Sequence, residues 1–286
     1  MRVALVAQRD NAEMHDDGPL LLEAFDRLGI EASIVPWGSG VLWATFDAVL
    51  IRSTWDYVFD REAFLAWADD VARQTRLANP AAVLRWNTDK RYLRELEAAG
   101  IPIVPTVWVE EGDRAPDIAW DDFIVKPSVS AGARLSARYE RGDDIAGHVA
   151  RIHAVGAAAM VQPYLAVIDS GETGTYVFGG AVSHAIRKRP VLEAIRSPRD
   201  DMSAGAHQLV GPAAVDPRLA TFAMRVLAAS PPVLYGRVDT VAGDDGEPVL
   251  MELEVTEPYL FLEHAPEGAD RFAAAVVRWL SEGGPS

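Results

Sequence analysis

Short apolar runs alternate with amphipathic segments over the first 80 residues of the chain. Apolar and β-branched residues form strand-like runs at Arg2–Val6, Ile30–Val35 and Phe46–Ile51. Between them, apolar residues recur at helical spacing in Pro19–Leu28 and Asp60–Arg73. Helices that alternate with short buried strands are typical of a mostly parallel sheet covered by helices. This part of the sequence therefore predicts a small α/β lobe.

The pattern changes near residue 87. Asn87, Thr88 and Asp89 carry side chains that favour a helix N-cap, and a predicted helix follows and ends at Gly100. The further elements predicted here are strands at 103–109, 123–125, 135–139 and 158–162 and a helix at 142–154. Strands and helices in this order indicate an α+β lobe.

From about residue 166 the sequence is rich in predicted strands. Gly179-Gly180 separates two strand-like runs and is typical of a two-residue hairpin turn. Asp245-Gly246 separates a second pair of runs in the same way. We therefore predict an α/β fold class with three lobes, 1–86, 87–165 and 166–286, of which the last is built on antiparallel strands.

Composition and charge disfavour or exclude several classes of function for this chain. The chain has 42 acidic and 27 basic residues and a formal net charge of −15, which disfavours binding to nucleic acids and anionic membranes. The absence of cysteine excludes disulfides, thiol nucleophiles and cysteine-ligated metals. No apolar run approaches the roughly 20 residues of a membrane helix. The sequence thus predicts a cytoplasmic protein that binds any anionic ligand through a local basic cluster.

Three carboxylates and an arginine share one face of the predicted C-terminal hairpin. A two-residue turn at Asp245-Gly246 places Asp239 opposite Glu252 and Arg237 opposite Glu254, whereas a three- or five-residue loop would break this arrangement. Carboxylates on one face repel each other unless a cation joins them, and Mg²⁺ prefers oxygen ligands. A solvated face on which Arg237 pairs with Glu254 is the alternative.

An anionic ligand would need the lysines of this acidic chain. Lys126 ends a predicted strand and precedes a loop of small residues, 128–134, whose backbone N–H groups could approach a phosphate. Lys90 lies in the first turn of a predicted helix, and Arg187-Lys188-Arg189 forms a local cationic cluster. Neither a P-loop nor a dinucleotide-binding glycine motif is present. Each lysine alone is also compatible with an ordinary surface charge.

A candidate substrate site follows the third predicted strand. Arg52, Ser53, Thr54, Trp55 and Asp56 lie where the sheets of α/β proteins usually bind ligands. The arginine suits a carboxylate and the aspartate suits an ammonium group, so the segment would fit a small amino acid. The alternative is a loop at the start of a helix with a packed tryptophan.

The order of these features resembles the ATP-grasp superfamily. The matching segments are Asn87-Thr88-Asp89-Lys90, Ile124-Val125-Lys126-Pro127, Val161-Gln162-Pro163-Tyr164-Leu165, Arg237-Val238-Asp239 and Glu252-Leu253-Glu254. The sequence is most similar to the glutathione-synthetase-like branch, and in particular to the cyclo-ligases that close O-ureido-serine to cycloserine. That narrower match is carried by Gly171-Glu172, 183–190 and 252–258.

The resemblance implies a role for each matching residue. The residues implied to bind ATP are Lys90, Lys126, Ser130 and Gly132 of the lid loop, Gln162, Pro163, Tyr164 and Leu165 of the adenine hinge, and Glu172. Asp239, Glu252 and Glu254 would bind Mg²⁺, Arg237 would orient the transferred group, and Lys188 would contact phosphate. Glu257 joins the implied substrate residues. The sequence departs from that branch at Glu254, where the branch usually has Asn, and in its single lid glycine.

The resemblance also implies a reaction. An ATP-dependent carboxylate–amine ligase would form an amide bond through an acyl phosphate and release ADP and phosphate, either between two molecules or by cyclisation of a small amino acid derivative. The alternatives are a small-molecule kinase, which would release a stable phosphorylated product, and a non-catalytic nucleotide-binding module. The resemblance makes a homo-oligomer plausible.

Overall fold

The computed structural model describes residues 1–9, 17–165, 171–189, 196–202 and 210–282. Within them, one parallel sheet and two antiparallel sheets carry helices on their faces, which confirms the predicted α/β fold class. The division into three lobes stays a prediction, and its boundary at residue 166 lies outside the described residues. None of the described helices is long and apolar enough to span a bilayer.

The N-terminal sheet is parallel throughout, as predicted. Its strands are β1 (Arg2–Ala7), β2 (Glu31–Pro36), β3 (Ala48–Ser53) and β4 (Arg76–Ala78), in the order β2-β1-β3-β4. The helices α1 (Asp17–Arg27) and α2 (Arg61–Gln74) cover it. The Asp60 side chain caps α2 by accepting a hydrogen bond from the Ala63 N–H. The short strand β4 was not predicted.

Of the three predicted N-cap residues, Asn87 does not cap the helix that follows, whereas Asp89 accepts the Arg91 N–H at 3.1 Å immediately before that helix. Asn87 is the last residue of a helix, α3 (Ala81–Asn87), and the next helix, α4 (Tyr92–Ala98), begins five residues later. Thr88 donates its hydroxyl to the Leu84 carbonyl of the preceding turn. Asn87 to Arg91 therefore connect two helices, and the Asn87 side chain is free to bond elsewhere. Gly100, with φ of +84°, ends the second helix region as predicted.

The middle sheet is antiparallel, in the order β5-β8-β6-β7. Its strands are β5 (Val107–Val109), β6 (Asp122–Pro127), β7 (Ala137–Glu140) and β8 (Ala159–Pro163), and α5 (Ala146–Ala154) packs against it. The predicted strand 103–109 is shorter, because residues 102–104 bond instead to Leu250 of the C-terminal sheet.

The C-terminal sheet is antiparallel, in the order β11-β10-β9-β12-β13. Its elements are β9 (Glu172–Phe178), β10 (Ala181–Lys188), β11 (Val210–Ala213), α6 (Pro217–Ala228), β12 (Tyr235–Ala242), β13 (Pro248–Glu254) and α7 (Glu267–Ser281). Gly179 and Gly180 both have positive φ and form the predicted turn between β9 and β10.

The turn between β12 and β13 differs from the prediction. The Gly243 N–H donates to the Glu247 carbonyl at 2.7 Å, so the loop contains three residues, Asp244–Gly246. Gly246 has a φ of +79°, which suits the left-handed position of a three-residue hairpin loop. The predicted two-residue turn at Asp245-Gly246 is therefore wrong, and this loop alone would shift the pairing by one residue.

A β-bulge at Met251 restores the pairing. On the turn side of the bulge, Thr240 pairs with Leu250, so Met251 is the extra residue of β13. Beyond the bulge the pairs are Arg237 with Glu254, Val238 with Leu253 and Asp239 with Glu252. These are the predicted pairs, and they hold because the loop and the bulge offset each other.

One apolar cluster joins the N-terminal and C-terminal sheets. Leu5 and Leu50 of the parallel sheet pack in the same core as Tyr176 and Phe272. The carboxylate of Asp17, at the start of α1, accepts the Leu260 N–H at 2.7 Å and also the Leu262 N–H. The shared core brings the carboxyl end of β3 towards the segment that follows β13.

Candidate active site

A buried ion pair between Arg237 and Asp239 on β12 forms the centre of the candidate site. Arg237 donates to both oxygens of the Asp239 carboxylate at 2.8 Å, through Nε and Nη2. Arg237 also contacts the Glu254 carboxylate across the hairpin. The side chains of Arg237 and Asp239 are only 5% and 3% exposed, so the surrounding protein shields the pair from water. Two parallel bonds of this kind fix the orientation of both groups.

Lys188 extends this network from β10. Its Nζ lies 2.8 Å from Asp239 Oδ2 and also contacts the Glu172 carboxylate, which pairs with Lys188 across β9 and β10. Arg187 and Arg189, the other members of the predicted cationic cluster, are exposed. The alternation of the strand therefore selects Lys188 alone for the interior.

Lys90 connects the hairpin to the loop after β6. Its Nζ lies 3.1 Å from Glu252 Oε1 and donates to the Ser130 carbonyl at 2.9 Å. Its backbone N–H donates to the Ser128 carbonyl at 2.8 Å. Lys90 lies in the connection before α4, and the placement in a first helical turn was wrong. This side chain joins a candidate metal ligand to the predicted lid loop.

Burial and neighbouring charges shift the pKa values of Asp239 and Glu254 in opposite directions. Burial would raise the pKa of Asp239, but Arg237 and Lys188 hold it below its usual value. Burial raises the pKa of Glu254 to about 7, although Arg237 opposes this change. Asp239 is therefore kept ionised by its two cation partners, whereas Glu254 releases its proton less readily.

Lys126 differs from the other two lysines. It lies on β6, and among the described residues no acceptor comes within hydrogen-bond or ion-pair distance of its Nζ. Burial lowers the pKa of Lys126, and the nearby Lys90 lowers it further. A bound anion would relieve both effects, because it would offset the repulsion between the two ammonium groups.

The predicted lid loop, 128–134, is held closely by neighbouring segments. Ser130 donates its hydroxyl to the Arg134 carbonyl at 2.8 Å. Gly132 has a φ of +59°, and a Cβ there would lie 2.7 Å from the Cβ of Met202. A side chain at Gly132 would therefore displace segment 196–202, so the single glycine of the loop has a steric role.

The predicted hinge lies between the middle and C-terminal sheets. Gln162 is buried on β8 and donates to the Thr106 hydroxyl at 2.8 Å. The guanidinium of Arg138 lies 3.5 Å from the centre of the Tyr164 ring. Leu165 packs against apolar side chains of the β12–β13 hairpin. Residues 162–165 therefore connect the two sheets, and their contact with adenine stays a prediction.

The carboxyl end of β3 contains polar atoms without partners. Ser53 and Thr54 are 2% and 0% exposed. Among the described residues, nothing accepts from or donates to Ser53 Oγ, Thr54 Oγ1 or Arg52 Nε. Buried polar atoms in native proteins nearly always have a partner, so each unmet atom is a candidate ligand contact. These three atoms all belong to the predicted substrate segment.

The rest of the Arg52 side chain is enclosed by the protein. The residue is 1% exposed, and its Nη2 donates to the Pro258 carbonyl at 2.5 Å. The guanidinium carbon lies 5.3 Å from the centre of the Tyr235 ring and 5.4 Å from that of Phe272. Arg52 therefore ties β3 to the segment after β13, and a role in carboxylate binding stays a prediction.

Asp56 and Trp55 have partners within the protein. The Asp56 carboxylate accepts the Arg9 N–H at 2.8 Å and the Trp37 indole N–H at 3.1 Å. The Trp55 ring makes an edge contact with Tyr259, with the ring centres 6.3 Å apart. Asp56 therefore holds the chain after β1 in place, and its predicted role with an ammonium group has no contact of its own to support it.

Glu257 lies between the hairpin and the β3 end. It is 8% exposed, and burial together with the negative charge of Glu254 raises its pKa to about 8. Burial raises the pKa of Tyr57 well above its usual value, and Glu257 and Glu252 raise it further. The tyrosine after β3 and the carboxylates of the hairpin thus lie close enough to influence each other electrostatically.

Sequence reasoning missed the role of Gly174. A Cβ at this position of β9 would lie 2.9 Å from Asp239 Oδ1 and 3.0 Å from Arg237 Cδ, so only glycine leaves room for the ion pair. A glycine in a strand interior often marks such a close approach, and this signal was present in the sequence. His184 donates from Nε2 to the Leu260 carbonyl, pairs through Nδ1 with the Ser183 hydroxyl and stacks on Tyr176, so it has a packing role.

The donor set of the hairpin suits Mg²⁺ held jointly with a nucleotide. Among the described residues, no three His, Cys, Asp or Glu side chains are grouped closely enough to hold a metal by themselves. Mg²⁺ is usually bound through one or two carboxylates together with substrate phosphates and water. Glu252 and Glu254, with side chains 30% and 27% exposed, are accessible enough for this arrangement, whereas Asp239 is held by two cations.

A separate cavity of about 500 Å³ lies beside α5, lined by residues 113–117, 143–146 and 149–150 and by His153. None of the predicted site residues lines it. The groups with unmet or exchangeable contacts are instead found around the hairpin and the end of β3.

Comparisons with known proteins agree with this architecture. A family model described as the N-terminal domain of the D-cycloserine synthetase DcsG matches residues 3–79. The cycloserine biosynthesis protein DcsG of Streptomyces lavendulae is 35% identical over 294 aligned residues, which cover 97% of this chain and 98% of that protein.

Solved structures extend the similarity to the whole fold. The crystal structure of D-cycloserine synthetase DcsG matches with a TM-score of 0.86 at 34% identity and covers 98% of this chain and 100% of that chain. The ATP-grasp ligase PsnB, solved with its minimal precursor, Mg and ADP, matches with a TM-score of 0.63 at 17% identity and 98% coverage of both chains. The second similarity concerns the fold alone.

Proposed function

The chain belongs to the ATP-grasp superfamily and, within it, to the family of the cycloserine biosynthesis protein DcsG, and from this premise we propose that it closes a small amino acid derivative into a cyclic amide. It is an ATP-dependent ligase. The proposed substrate is O-ureido-serine or a close analogue, and the proposed product is cycloserine or its analogue.

The observation that carries this proposal is the connection made by Lys90. One ammonium group contacts both Glu252 of the carboxylate hairpin and the Ser130 carbonyl of the lid loop. Lys126, which has no partner among the described residues, lies near enough to Lys90 to lower its own pKa by repulsion. Two lysines and the carboxylate face of the hairpin thus lie around a single position. There they could bind the phosphates and the metal ion that phosphoryl transfer requires.

The proposed reaction has two steps. A carboxylate oxygen of the substrate attacks the γ-phosphorus of ATP, so that ADP leaves and an acyl phosphate forms. The ureido nitrogen bonded to oxygen in the same molecule then attacks the acyl carbon, phosphate leaves, and the nitrogen loses its proton to water. Water then cleaves the bond between this nitrogen and the carbamoyl carbon, so that the carbamoyl group leaves as carbamic acid, which breaks down to carbon dioxide and ammonia, and cycloserine remains. The protein contributes alignment and charge stabilisation rather than a covalent nucleophile.

Each group of the chain has a proposed task. Glu252 and Glu254, with Asp239 behind them, would hold Mg²⁺, which when bound neutralises phosphate charge. Lys90 and Lys126 would bind the phosphates, and residues 162–165 would hold the adenine. Glu172 positions Lys188 by direct contact, and Arg237 would orient the transferred group. The lid loop with Ser130 and Gly132 would exclude water from the acyl phosphate.

The proposed substrate site is the end of β3 together with Glu257. The Ser53 and Thr54 hydroxyls have no partner in the described part of the chain, so a substrate carboxylate or amide could bond to them without breaking a contact seen there. Glu257 has no cation partner among the described residues and could accept a hydrogen bond from the substrate ammonium group. Trp55, Asp56 and Arg52 would shape the site from behind.

The test is to incubate the protein with ATP, Mg²⁺ and each of O-ureido-D-serine, O-ureido-L-serine and a panel of amino acids and dipeptides. We expect ADP and free phosphate in equal amounts only with an ureido-serine, and a product with the mass of cycloserine or of the substrate less water. The two enantiomers serve as matched controls for recognition of the amino acid centre.

Other products would overturn parts of the proposal. ADP with a stable phosphorylated substrate would identify a kinase. An amide formed between two molecules would retain the ligase chemistry but exclude cyclisation. AMP would contradict the acyl-phosphate step, and bound ATP without turnover on the whole panel would contradict the proposed substrate class.

A further inference from the structure

Residues 102–104 bond to the outer edge of β13 at Leu250, but beyond the bulge this edge is closed by side chains. β13 is the last strand of the C-terminal sheet in the part of the chain that the structure describes, and it pairs with β12 on its inner side. Leu253 and Val255 are nevertheless 1% and 0% exposed. Buried backbone groups of an edge strand need partners. The residues that supply them are the last residue of α3, the first residue of α4 and the residue that follows β4.

Tyr92 binds both backbone groups of Leu253. Its hydroxyl accepts the Leu253 N–H at 2.8 Å and donates to the Leu253 carbonyl at 3.0 Å. The residue is 2% exposed, and its ring packs against Trp86 with ring centres 4.8 Å apart. One phenol therefore takes the place of the pair of hydrogen bonds that a neighbouring strand would form.

Asn87 bonds to the backbone of Leu253 in β13 and of Val255 just after it, the two successive residues whose backbone groups point away from β12. Its Nδ2 donates to the Leu253 carbonyl at 2.7 Å, and its Oδ1 accepts the Val255 N–H at 3.1 Å. The same oxygen accepts the Thr256 hydroxyl at 3.1 Å. Asn79 completes the edge by donating to the Val255 carbonyl at 2.6 Å.

These contacts surround the candidate metal ligands. Glu252 and Glu254 flank Leu253 on β13, and their own backbone groups face β12. Lys90 lies between Asn87 and Tyr92 in the sequence and contacts Glu252. The segment 87–92 is thus bonded to the metal-ligand strand at both of its ends, with the phosphate-binding lysine in its middle.

We propose that Asn87 and Tyr92 are positioning residues, which set the distance between Lys90 and the Glu252 and Glu254 carboxylates and thereby the affinity of the site for a metal–nucleotide complex. The inference rests on the proposed function. Neither side chain reaches a phosphate or a metal in this role. Their effect passes through the backbone of β13, whose register the bulge at Met251 has already adjusted.

The test compares Tyr92→Phe with the wild-type protein. The phenylalanine keeps the ring that packs on Trp86 but removes both bonds to Leu253. We expect Mn²⁺ to bind at least about tenfold more weakly in the presence of ADP, as measured by electron paramagnetic resonance, since loss of an outer-shell contact typically costs 10- to 100-fold in metal affinity. Mg·ADP titration calorimetry should show the same change.

Tyr235→Phe is the matched control. The Tyr235 hydroxyl also bonds to the backbone, sharing its one hydrogen between the buried carbonyls of Ile51 at 2.7 Å and Ala78 at 2.8 Å, but in the core between the sheets. We expect this variant to lose thermal stability to a similar extent while its Mn²⁺ affinity stays within about twofold of wild type. Equal metal affinities in wild type and Tyr92→Phe would overturn the inference.

A second variant separates positioning from general damage. Glu252→Gln removes the ligand through which Tyr92 acts, so Tyr92→Phe should weaken Mn²⁺ binding much less in that background than in the wild type. Fully additive losses would overturn the inference while leaving the proposed function intact. Failure of the wild-type protein to bind Mn²⁺ with ADP would overturn both, because the metal–nucleotide site itself would be absent.

Discussion

The carboxylate hairpin and the carboxyl end of β3 are both buried and polar, but they satisfy their polar groups in opposite ways. On the hairpin, Asp239, Glu252 and Glu254 each contact a cation of the protein. At the end of β3, the Ser53 and Thr54 hydroxyls have no partner among the described residues. The carboxylates of the hairpin are therefore paired without a ligand, whereas the hydroxyls at the end of β3 lack hydrogen-bond partners in the described part of the chain.

The difference follows from the cost of leaving each kind of group unpaired. A buried charge without a counter-charge costs several kcal/mol, whereas a buried hydroxyl without a hydrogen bond costs about 1–3 kcal/mol. A protein can therefore keep a few unmet hydroxyls ready for a substrate, but its buried carboxylates must be paired until a metal arrives. Metal binding at the hairpin would be an exchange of cations, and substrate binding at β3 would be an addition of bonds.

The largest expected effect comes from comparing Asp239→Ala with Glu252→Ala. Both variants should lose ATP-dependent turnover by at least about a thousandfold if both carboxylates serve the metal–nucleotide complex. Asp239→Ala should also destabilise the fold by about 3–5 kcal/mol, because it leaves Arg237 and Lys188 buried with fewer counter-charges. Glu252→Ala should destabilise it much less, since Glu252 is 30% exposed and Lys90 keeps its bond to Ser130.

Urea unfolding and a coupled ADP assay measure the two effects separately. Substantial turnover in both variants would contradict the metal assignment. Equal losses of stability would show that Asp239 and Glu252 contribute equally to the stability of the fold, which would contradict the expected difference between them.

The next effect distinguishes Lys126 from Lys188. Lys126→Met should raise the KM for ATP by about tenfold or more without loss of stability, because its ammonium group has no partner among the described residues. Lys188→Met should lower the melting temperature, because it leaves the buried Asp239 and Glu172 carboxylates without this cation. Differential scanning fluorimetry with and without ATP compares them, and an unstable Lys126→Met would contradict the prediction.

A smaller effect tests the unmet hydroxyls. Thr54→Val has nearly the same shape and removes only the hydroxyl. We expect the KM for the amino acid substrate to rise by about tenfold, while the KM for ATP and the stability stay unchanged, because a hydrogen bond to a charged group contributes about 1.5–3 kcal/mol. Thr240→Val is a useful control, since its hydroxyl already donates to the Thr173 carbonyl. If Thr54→Val lost stability but not substrate affinity, the hydroxyl would be structural.

The smallest effect concerns pH and Glu257, which lies between the two regions. Burial raises its pKa to about 8, above the ordinary value of 4.5, so the folded protein binds this proton more tightly than the unfolded chain. The stabilisation is full below pH 4.5 and is lost as pH rises through 8. Between pH 6 and 9, the wild type should lose about 2 kcal/mol that Glu257→Gln does not lose. Parallel pH dependences in urea unfolding would contradict this prediction.

Much of this fold could be predicted because its elements have strong local signals. The parallel first sheet, the Gly179-Gly180 hairpin and the helix stop at Gly100 follow from apolar periodicity and from glycines at positive φ. The short strands β4 and β11 escaped prediction because three or four residues carry too little pattern. The sequence predicts Asn87 as a helix cap because the side-chain amide that can cap a helix can equally bond to a distant strand. In the structure it bonds to the Leu253 carbonyl.

The sequence by itself determined which strand face the hairpin residues share, because side chains alternate along a strand whatever it packs against, and from that shared face it predicted which residues carry the chemistry. Only the tertiary structure decided how they meet. The three-residue loop and the Met251 bulge together set the pairing of Asp239 with Glu252, and no local pattern announces a bulge. The partners of Lys90, Lys126 and the β3 hydroxyls depend on contacts between residues far apart in the chain, and burial there determines which groups remain open to a ligand.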